Sequence, residues 1–554
     1  MGKGQLSLFA EESDQMISIK EASHHVGVSV ASINNWIREG LLNGEHKGVV
    51  SRASLDQFTT RMTGIGKLKS RANKLRKDQH DHIRLTDHIL DAIQRGENGE
   101  KISQEYEQSL SESYRNREGV YYTPKKIVDD MFKQIKGDIS AKSFLEPCCG
   151  GGEFVVAALE RGFRPENIYA FDTDPNAIAI TRHRVVSLTG EECKNIICGN
   201  FLLLSQSIDK KFDYIFSNPP WGKKADKTEK ERWAQIYQTG SSLDSCSLFL
   251  AAALRVLNTD GLLGYLLPEA FFNVAAFADI RKTVLRNNII QVADYGKFST
   301  LITRAQSLVL SNSAPQEEVN CQIGATHYIR KQSSFSTLPQ SIINFLTDSE
   351  DNDVISYLYT LPHRTLRGNA RWALGIVTGD NKNILKAECG AEDVPIYRGR
   401  DITKNGFKKP TRYINRDLSH CQQVADVSYY LAPEKIVYRF INDSIVCCVD
   451  KSRSYILNSA NLFIVEDSFP LTNQQVADML NSDLMTWLFK HIFRTHKVLR
   501  GDLEQLPLFT GYFDVYSSFS EDSLLSYLHI TRHDGTYRIK KIAFSNPFQG
   551  QGKS

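Results

Sequence analysis

The chain has 554 residues, more than one ordinary hydrophobic core supports, so we expect about three domains. Hydrophobic residues make up 41% of the sequence and charged residues 24%, as in folded globular proteins, and no apolar run is long enough to cross a bilayer or to form a signal peptide. We therefore expect a cytoplasmic protein with no membrane partner. The net charge of +3 excludes a strong overall attraction to nucleic acids, so any such affinity must come from local basic faces. The ten cysteines include no Cys-x-x-Cys pair, which predicts reduced thiols and no metal site.

Residues 1–15 form a polar tail that we expect to be flexible. Gln5 is followed by Leu8 and Phe9, and this spacing resembles the peptide that docks into the bacterial sliding clamp. An extended tail with two adjacent apolar side chains can fill a small hydrophobic pocket, which makes the clamp a candidate partner of Gln5 to Phe9. The alternative is a tail that packs on its own domain, since Gln505 to Phe509 repeat the spacing in a very different context.

Residues 16–62 predict a small helical DNA-binding unit. Two serine-capped helices, the first with Ser18 as its N-cap, are separated by a turn at Gly27. This pattern resembles the helix-turn-helix of MerR-type and excisionase-type domains, and the resemblance places Asn35 and Arg38 on the DNA-facing side. A protein-binding or dimerisation module is the alternative.

Residues 63–117 predict a helical connector whose first part is rich in lysine and arginine. Its basic face is as consistent with a solvated helix surface as with contact to phosphates. A domain predicted for residues 118–314 follows the connector.

A glycine-rich turn follows the first strand of that domain. Residues 143–146 read as a short apolar strand, Gly150 lies in the turn, and a helix opens at Glu153. No Lys-Ser/Thr pair follows the glycines, which argues against an ATPase P-loop. The carboxylate of Glu146 would repel a pyrophosphate, which disfavours an NAD-type turn, whereas the same carboxylate suits a cationic ligand.

Two further strands end in polar residues. The strand at 167–172 ends at Asp172, where an acid typically accepts hydrogen bonds from the hydroxyls of a ribose, and Asp174 is expected to cap the next helix. The following strand ends before Asn200 and Phe201. The side chain of Asn200 can accept a hydrogen bond from an amine, and the ring of Phe201 can pack on another aromatic ring.

The stretch 212–222, FDYIFSNPPWG, reads as a buried strand that is ended by two prolines. Because ligands bind beyond the carboxyl ends of strands in open α/β sheets, we expect Asn218, Pro219, Pro220 and Trp221 to lie in an active site. The side-chain oxygen of Asn218 and the carbonyl of Pro219 can accept both hydrogens of an amine, and Trp221 offers a flat face to a base. The alternative is a strand that ends in a Pro-Pro turn with a core tryptophan.

Lys223 and Lys224 then form a basic loop suited to contact with a DNA backbone. Phe298 precedes the last strand of the domain. The later strands are predicted at 261–268, 289–292 and 305–310. Strands that alternate with helices predict an α/β fold with a doubly wound, largely parallel sheet.

Together these motifs resemble those of the gamma class of DNA amino-methyltransferases, most closely the N6-adenine enzymes, over about residues 118–313. The resemblance implies a Rossmann-like methyltransferase domain, S-adenosylmethionine as cofactor, and double-stranded DNA from which an adenine is flipped. It makes Trp221 and Phe298 the candidates that stack on the base, although Phe298 could equally be a core residue. An acid commonly stands where Asn200 is in this chain, and Asn can accept the same hydrogen bond. The implied cofactor contacts are Thr123, Pro124, Glu146, Cys148, Gly150, Asp172, Asn200, Phe201 and Asn218.

The C-terminal half predicts a connector at 315–370, helical near 341–346, and then an α+β target-recognition domain at 371–510 with a helix around 474–489. Residues 511–554 form an extension that carries no readable signal. Basic residues interleaved with aromatic ones fit a DNA-facing surface. The candidates are Arg398, Arg400, Arg494, Lys497 and Arg500.

The function that the resemblance implies is site-specific N6-adenine methylation in a bacterial restriction-modification system. A separately encoded restriction endonuclease is a candidate partner, and the expected location is the nucleoid. Methylation of N4 of cytosine, and a non-catalytic DNA-binding regulator on the same fold, remain alternatives. We expect no cleavage activity, because the sequence has no convincing Pro-Asp…Glu-x-Lys pattern.

Overall fold

The computed structural model describes residues 15–26, 30–38, 42–44, 48–61, 86–110, 123–222, 227–297 and 303–540. The chain divides into two compact units, Met1–Tyr122 with Cys149–Gly199 and Thr123–Cys148 with Asn200–Ser554. These are called the first unit and the second unit below. The domain boundaries expected from the sequence stay a prediction.

Strands and helices are numbered in chain order, and residues 86–94 are also helical. Up to residue 200 they are β1 Met16–Ser18, α1 Ile19–Val26, α2 Val30–Arg38, β2 Val49–Ser51, α3 Arg52–Arg61, α4 Gly99–Ser109, α5 Lys125–Phe132, β3 Phe144–Glu146, α6 Glu153–Arg161, β4 Ile168–Asp172, α7 Pro175–Thr189 and β5 Ile196–Cys198. From there to residue 337 they are α8 Phe201–Leu204, β6 Phe212–Ser217, α9 Lys227–Tyr237, α10 Ser245–Arg255, β7 Leu257–Pro268, α11 Glu269–Asn273, α12 Ala278–Val284, β8 Asn288–Gly296, β9 Ala305–Ser311, β10 Glu318–Ile323, β11 Thr326–Lys331 and α13 Gln332–Thr337. The rest are α14 Ser349–Thr360, β12 Ala370–Leu374, α15 Asn381–Ile384, β13 Asp393–Tyr397, β14 Ile402–Thr403, β15 Gly406–Phe407, β16 Tyr413–Asn415, α16 Val427–Tyr430, β17 Lys435–Arg439, β18 Cys447–Asp450, β19 Tyr455–Ile456, β20 Ala460–Val465, α17 Asn473–Leu480, α18 Asp483–Ile492, α19 Arg500–Leu503, α20 Tyr512–Val515, α21 Glu521–Tyr527, β21 Ile530–His533 and β22 Thr536–Ile539.

The N-terminal residues of the first unit pack around Trp36. Its side chain is fully buried, and its ring lies 4.9 Å from that of Phe58. Ser18 caps α1, as predicted: its backbone N–H donates to Glu21 Oε2 at 2.9 Å, and the Glu21 N–H donates back to Ser18 Oγ at 3.2 Å. Both predicted helices are present as α1 and α2, and their contact with DNA stays a prediction.

Helix α7 is the central element of the rest of the first unit. Asp174 caps it by accepting a hydrogen bond from the Asn176 N–H at 2.9 Å, which confirms the predicted cap, and Gly190 ends it with φ +73°. Tyr106 of α4 packs in one cluster with Ile180 of α7. Strand β4 pairs with β5 in parallel, so both strands run in the direction that α/β units require.

The sheet of the second unit has the strand order β11-β10-β8-β9-β7-β6-β3. Strand β6 pairs in parallel with β3 and β7, and β10 with β8. Strand β9, however, lies antiparallel between β7 and β8. The α/β class is therefore confirmed, and the expected largely parallel order is wrong for β9. A parallel crossover needs about a dozen residues or more, and the link from β8 to β9 is shorter than that.

The stretch predicted as a connector contains strands β10 and β11, which form a hairpin and extend the sheet of the second unit. The helix predicted near 341–346 is wrong. Residues 342–346 are not helical and are mostly buried, and the Ile343 N–H donates to the Phe272 carbonyl at 3.0 Å rather than to a carbonyl of its own turn. A short apolar run does not distinguish a buried helix from a buried extended segment.

The C-terminal part of the second unit contains short strands and turns, as predicted. Strands β12-β20-β17-β18 form one antiparallel sheet and β16-β13-β19 a second, smaller sheet. The helix predicted around 474–489 is two helices, because Ser482 starts α18 by accepting a hydrogen bond from the Met485 N–H at 3.1 Å. Leu506, Leu508 and Phe509 are fully buried, so this second copy of the clamp-like spacing belongs to the core.

Side chains near the carboxyl end of β7 and beyond it bind the main chain of residues 491–501 within the second unit. Asn273 donates to the Phe493 carbonyl at 2.8 Å, and Gln340 donates to the Gly501 carbonyl at 3.2 Å. Fully buried Arg281 holds the turn that carries Gln340 by donating to its carbonyl at 3.0 Å. These bonds fix the C-terminal part to the sheet that carries β6.

In the part of the chain that the structure describes, no helix is both long enough and apolar enough to span a membrane.

Candidate active site

Asn218 follows directly on β6 and is half-buried in the second unit. Its Nδ2 donates to Thr123 Oγ1 at 3.1 Å, and Thr123 lies just before α5, whose N-cap is Pro124. This bond decides which way the amide faces, because the nitrogen is directed to Thr123 and the oxygen away from it. The structure thus brings together two residues that the sequence assigned to one site from positions 95 residues apart.

The loop that follows Asn218 is held by the amino end of α10. Ser245 Oγ donates to the Pro220 carbonyl at 2.7 Å. The carboxylate of Asp244, which caps α10, accepts hydrogen bonds from the Gly222 N–H at 3.3 Å and from a helix N–H. Since these contacts reach backbone atoms of the loop, they fix its path and leave the Asn218 amide to other partners.

Trp221 is placed more like a core residue than the sequence suggests. Its side chain is 7% exposed, and its indole N–H donates to the Leu266 carbonyl of β7 at 3.2 Å. The structure therefore leaves only a small part of the ring accessible to a base. Phe298, the second stacking candidate, lies outside the described residues.

A buried carboxylate accepts a hydrogen bond from the residue that precedes Asn218. Glu146, at the end of β3, is 0% exposed and accepts a hydrogen bond from Ser217 Oγ at 2.5 Å. Cys148 Sγ lies 3.0 Å from the same hydroxyl and 3.4 Å from the Asn218 carbonyl, to which it donates. Glu146 and Cys148, two predicted site residues, thus both contact Ser217, the residue before Asn218.

Tyr265 of β7 is the nearest neighbour of Ser217 across the sheet. Burial raises the pKa of its phenol well above the ordinary value, and the charges of Cys148 and Glu146 act in the same direction. The phenol donates to the Phe249 carbonyl at 3.2 Å. It therefore stays protonated at neutral pH and is no candidate for a general base.

In the first unit, both carboxylate oxygens of Asp172 accept backbone hydrogen bonds. Oδ2 accepts from the Gly150 N–H and Oδ1 from the Asp174 N–H, each at 2.9 Å. Asp172 therefore ties the glycine turn to the end of β4. Its orientation is fixed before any ligand arrives, as a group that accepts two hydroxyls requires.

Helix α7 supports the same glycine turn from its side chains. Thr181 Oγ1 donates to the Gly150 carbonyl at 2.9 Å, and Arg184 donates to the Gly151 carbonyl at 2.6 Å. Gly152 has φ +87°, and a Cβ built on it would lie 2.9 Å from Thr181 Oγ1, so only glycine fits there. The turn presents bare backbone, which is the surface that a bound nucleoside-type cofactor needs.

Asn200 and Phe201 lie at the start of α8 in the second unit. Asn200 Oδ1 accepts a hydrogen bond from the Leu202 N–H at 3.0 Å and so acts as the helix cap. Phe201 is 1% exposed, and its ring centroid lies 6.1 Å from that of Phe249. The placement of Phe201 is that of a core residue.

The predicted DNA-binding residues of the C-terminal part have varied surroundings. Arg398 is paired with Asp401 at 3.0 Å, whereas Arg400 is exposed. Arg500 is paired with Glu504 at 2.7 Å. The others are Arg494, which donates to Thr347 Oγ1, and Lys497, which lies over the ring of Phe440.

Four predicted DNA-binding side chains are not described. Lys223 and Lys224 lie outside the described residues. The helix that carries Asn35 and Arg38 is described, but their side chains are not. The clamp-like stretch at residues 5–9 also lies outside the described residues.

Sequence reasoning missed the residues that support the site. Ser245 and the preceding Asp244 had a usable signal, because an acid and a serine before a long apolar run are typical of a helix start. Thr181 and Arg184 had none, since nothing in the local sequence indicates which carbonyl of a distant turn a side chain reaches.

No disulfide forms among the ten cysteines, each of which lies within the described ranges. A search of those ranges also finds no group of three or more His, Cys, Asp or Glu side chains able to hold a metal ion.

Comparison with known proteins identifies two family models in this chain. Residues 98–294 match the N-6 DNA Methylase family, and residues 394–508 match the TaqI-like C-terminal specificity domain. The first match contains the glycine turn and Asn218, and the second contains most of the predicted target-recognition domain. Residues 394–508 are called the specificity region below.

Individual relatives agree with these matches. The chain is 42% identical over 406 residues to the type II methyltransferase M.VspI of Vibrio sp. (strain 343), an alignment that covers 73% of this chain and 100% of that protein. It is 25% identical over 222 residues to the modification methylase CviBIII of Paramecium bursaria Chlorella virus NC1A, covering 38% of this chain and 55% of that protein. Among solved structures, the type IIL restriction-modification enzyme MmeI in complex with DNA aligns with a TM-score of 0.48 and 11% identity, covering 76% of this chain and 72% of that one.

Proposed function

The chain belongs to the type II DNA methyltransferases, and on that premise we propose that it moves a methyl group from S-adenosylmethionine to N6 of an adenine in one DNA sequence. The observation that carries the proposal is the Asn218 amide, which is directed by Thr123 at the end of a strand and followed by a loop held through its backbone. An amide and a rigid carbonyl side by side are acceptors suited to an exocyclic amine.

The residues fit the cofactor by their chemistry. S-adenosylmethionine, when bound, supplies an electrophilic methyl group on a positively charged sulfur. Asp172 accepts hydrogen bonds from the ribose hydroxyls, and Gly150 lets the backbone approach the ligand. The charge of buried Glu146 favours a cation.

Five further residues complete the proposed cofactor site. Thr123 and Pro124 serve the methionine end, and Cys148 orders the backbone at Asn218. Asn200 accepts a hydrogen bond from the amine of the adenine ring. Phe201 supports that position from the core, in keeping with its burial.

The reaction at the base depends on positioning. The target adenine leaves the duplex stack, because its amine is out of reach inside the helix. Asn218 Oδ1 and the Pro219 carbonyl accept the two amine hydrogens, and Pro220 keeps the backbone rigid beside them. This arrangement turns the nitrogen lone pair toward the methyl group and stabilises the positive charge that develops on nitrogen. No base is needed before transfer. The bond from sulfur to the methyl group would break as the bond to nitrogen forms, S-adenosylhomocysteine would be the second product, and the methylated nitrogen would then lose one proton to solvent.

Recognition of the DNA sequence is assigned to the specificity region. Arg398, Arg400, Arg494, Lys497 and Arg500 contribute contacts there, with Lys223 and Lys224 on the DNA backbone. Trp221 and Phe298 hold the flipped base by stacking, Trp221 through the part of its ring that remains exposed. The helix-turn-helix, with Asn35 and Arg38, adds a second contact with DNA.

The biological setting that we propose is restriction-modification in the bacterial cytoplasm, at the nucleoid. There the methyl group protects host DNA from a separately encoded endonuclease. The sliding clamp is a candidate partner through Gln5 to Phe9.

Mapping the modified bases in DNA from a bacterial host that expresses the protein tests the proposal. We expect N6-methyladenine at one sequence context, and a strongly reduced level at that context in a host that expresses Asn218→Ala. The purified variant should still bind S-adenosylhomocysteine, which separates lost chemistry from lost folding. N4-methylcytosine instead would select the alternative substrate, and methylation by Asn218→Ala at the rate of the unaltered protein would refute the role of Asn218.

A further inference from the structure

Helix α4 and the helical residues 86–94 pack closely against α7 in the first unit. Asn176 Nδ2 donates to Thr86 Oγ1 at 3.1 Å, and His183 Nε2 lies 2.8 Å from the Glu97 carbonyl. A Cβ built on Gly99 would lie 2.6 Å from Arg184 Cγ. This leaves no room for a larger residue at position 99, so the segment is docked on the helix that supports the glycine turn.

A continuous line of hydrogen bonds runs from this segment to the proposed cofactor carboxylate. The Tyr106 hydroxyl donates to Asp174 Oδ2. The backbone N–H of Asp174 donates to Asp172 Oδ1 at 2.9 Å, and Asp172 Oδ2 accepts from the Gly150 N–H. Two residues, Asp174 and Asp172, thus connect the phenol of Tyr106 to the glycine turn.

Asp174 is the linking residue of this line because it uses both its side chain and its backbone. Its Oδ1 accepts from the Asn176 N–H and starts α7, while its Oδ2 is held by Tyr106. Without the phenol, one oxygen of a half-buried carboxylate loses its donor, and the turn that carries the Asp174 N–H is less firmly fixed. Asp172 then loses part of its orientation although no atom of it has changed.

We propose that Tyr106 is a positioning residue for Asp172, and that the helical segment 86–110 thereby sets the affinity for S-adenosylmethionine. The inference rests on the proposed function, in which Asp172 binds the ribose. Tyr106 is 1% exposed, so it reaches the cofactor only through Asp174 and Asp172. Its loss weakens binding equally in the ground state and the transition state, which raises KM for the cofactor and leaves kcat unchanged.

Tyr106→Phe in the full chain tests the inference, because it removes one hydroxyl and keeps the ring. We expect the dissociation constant of S-adenosylhomocysteine, measured by calorimetry, to rise about three- to thirtyfold. The KM for S-adenosylmethionine should rise by the same factor, and kcat at saturation should stay within about twofold of the unaltered protein. Asp174→Asn, which retains one oxygen to cap α7, should change affinity in the same direction and serves as the second variant.

Thr86→Val is the matched control. It removes one hydrogen bond from the same helix contact, but that bond ends on Asn176 and not on Asp174. It should leave the affinity for S-adenosylhomocysteine unchanged. An equal loss of affinity in Thr86→Val would overturn the inference, since general loosening of the segment would explain both results.

A double variant identifies the route. If Tyr106 acts through Asp172, Tyr106→Phe has no further effect on affinity in an Asp172→Asn background, whereas additive losses would overturn the inference. Unchanged affinity in Tyr106→Phe alone, with normal binding by the unaltered chain, would refute the inference and spare the proposed function. No binding by the unaltered chain would refute the proposed function itself.

Discussion

The loop at residues 218–222 and the glycine turn at 150–152 both follow strand ends, yet they are held in different ways. The first is anchored through the Pro220 carbonyl and the Gly222 N–H, and the Asn218 side chain takes no part in those bonds. In the second, the Asp172 carboxylate assigned to the ligand is itself one of the anchors. The proposed acceptor of the amine is thus separate from the bonds that hold its loop, whereas the proposed ligand-binding carboxylate itself holds the glycine turn.

Because the two regions are held differently, we expect substitutions in them to alter different kinetic constants. Damage to the frame around residues 218–222 should act on the transfer step and lower kcat. Damage around the glycine turn should act on cofactor binding and raise KM. Four substitutions test this separation, in order of expected effect.

Asn218→Ala should have the largest effect. It removes an acceptor aimed at the amine, and we expect kcat to fall by about a hundred- to a thousandfold, with KM for S-adenosylmethionine nearly unchanged. Steady-state kinetics on a DNA substrate that contains the mapped site measures both constants. A change confined to KM would show that the loop at 218–222, like the glycine turn, acts on cofactor binding and not on the transfer step.

Gly152→Ala should raise the dissociation constant of S-adenosylhomocysteine about tenfold or more, because the residue has φ +87° and its Cβ would meet Thr181 Oγ1. Gly162→Ala is the matched control: Gly162 has φ +109° at the other end of α6, and nothing lies within 4 Å of a Cβ there. Both variants lose stability, and only Gly152→Ala should lose affinity. Equal affinities by calorimetry would show that the turn does not contact the cofactor.

Ser245→Ala should lower kcat about two- to tenfold, because the Pro220 carbonyl loses its donor, and should leave cofactor affinity unaffected. Ser205→Ala is the control, since it also removes a buried hydroxyl with a 2.7 Å hydrogen bond, but to Tyr237 and not to the loop. Single-turnover rates on the same DNA compare the two variants. Identical rates would mean that the loop keeps its path without the serine.

Trp221→Phe should have the smallest effect on the reaction. It keeps an aromatic ring and loses only the bond from the indole N–H to Leu266, so we expect about 1 kcal/mol less stability and kcat within about twofold. Denaturant unfolding and steady-state kinetics measure these two quantities. A drop of kcat by more than about fiftyfold would indicate that the indole N–H contacts the substrate.

The parts of the site that could be predicted from the sequence are those written in contiguous residues. The strand, the amide and the two prolines of the Asn218 stretch are adjacent in the sequence. Asp174 directly precedes Pro175, which is the usual position of a helix cap. The family matches show that the chain belongs to the DNA methyltransferases. Their individual roles remain predictions that the variants above test.

The features that could not be predicted depend on contacts between residues that are far apart in the sequence. The antiparallel position of β9 follows from which strands meet, and the local pattern of an apolar strand is the same in either direction. The non-helical run at 342–346 is apolar enough for a helix, but the Ile343 N–H donates to the Phe272 carbonyl. Tyr106 reads as an ordinary core tyrosine until Asp174, 68 residues away, is placed beside its hydroxyl.

The bonds that Asn273 and Gln340 make to the Phe493 and Gly501 carbonyls have a consequence for the substitutions that residues 491–501 tolerate. In both bonds the donor is a side chain of a residue that follows β7, and the acceptor is a main-chain carbonyl of residues 491–501. Thr347 likewise donates to the His491 carbonyl at 3.0 Å, and its hydroxyl in turn accepts a hydrogen bond from the Arg494 side chain. A main-chain carbonyl is present whatever residue carries it, so these contacts do not read the sequence of the segment they hold. Substitutions along residues 491–501 that keep the backbone path therefore leave these three bonds in place, whatever side chains the segment carries.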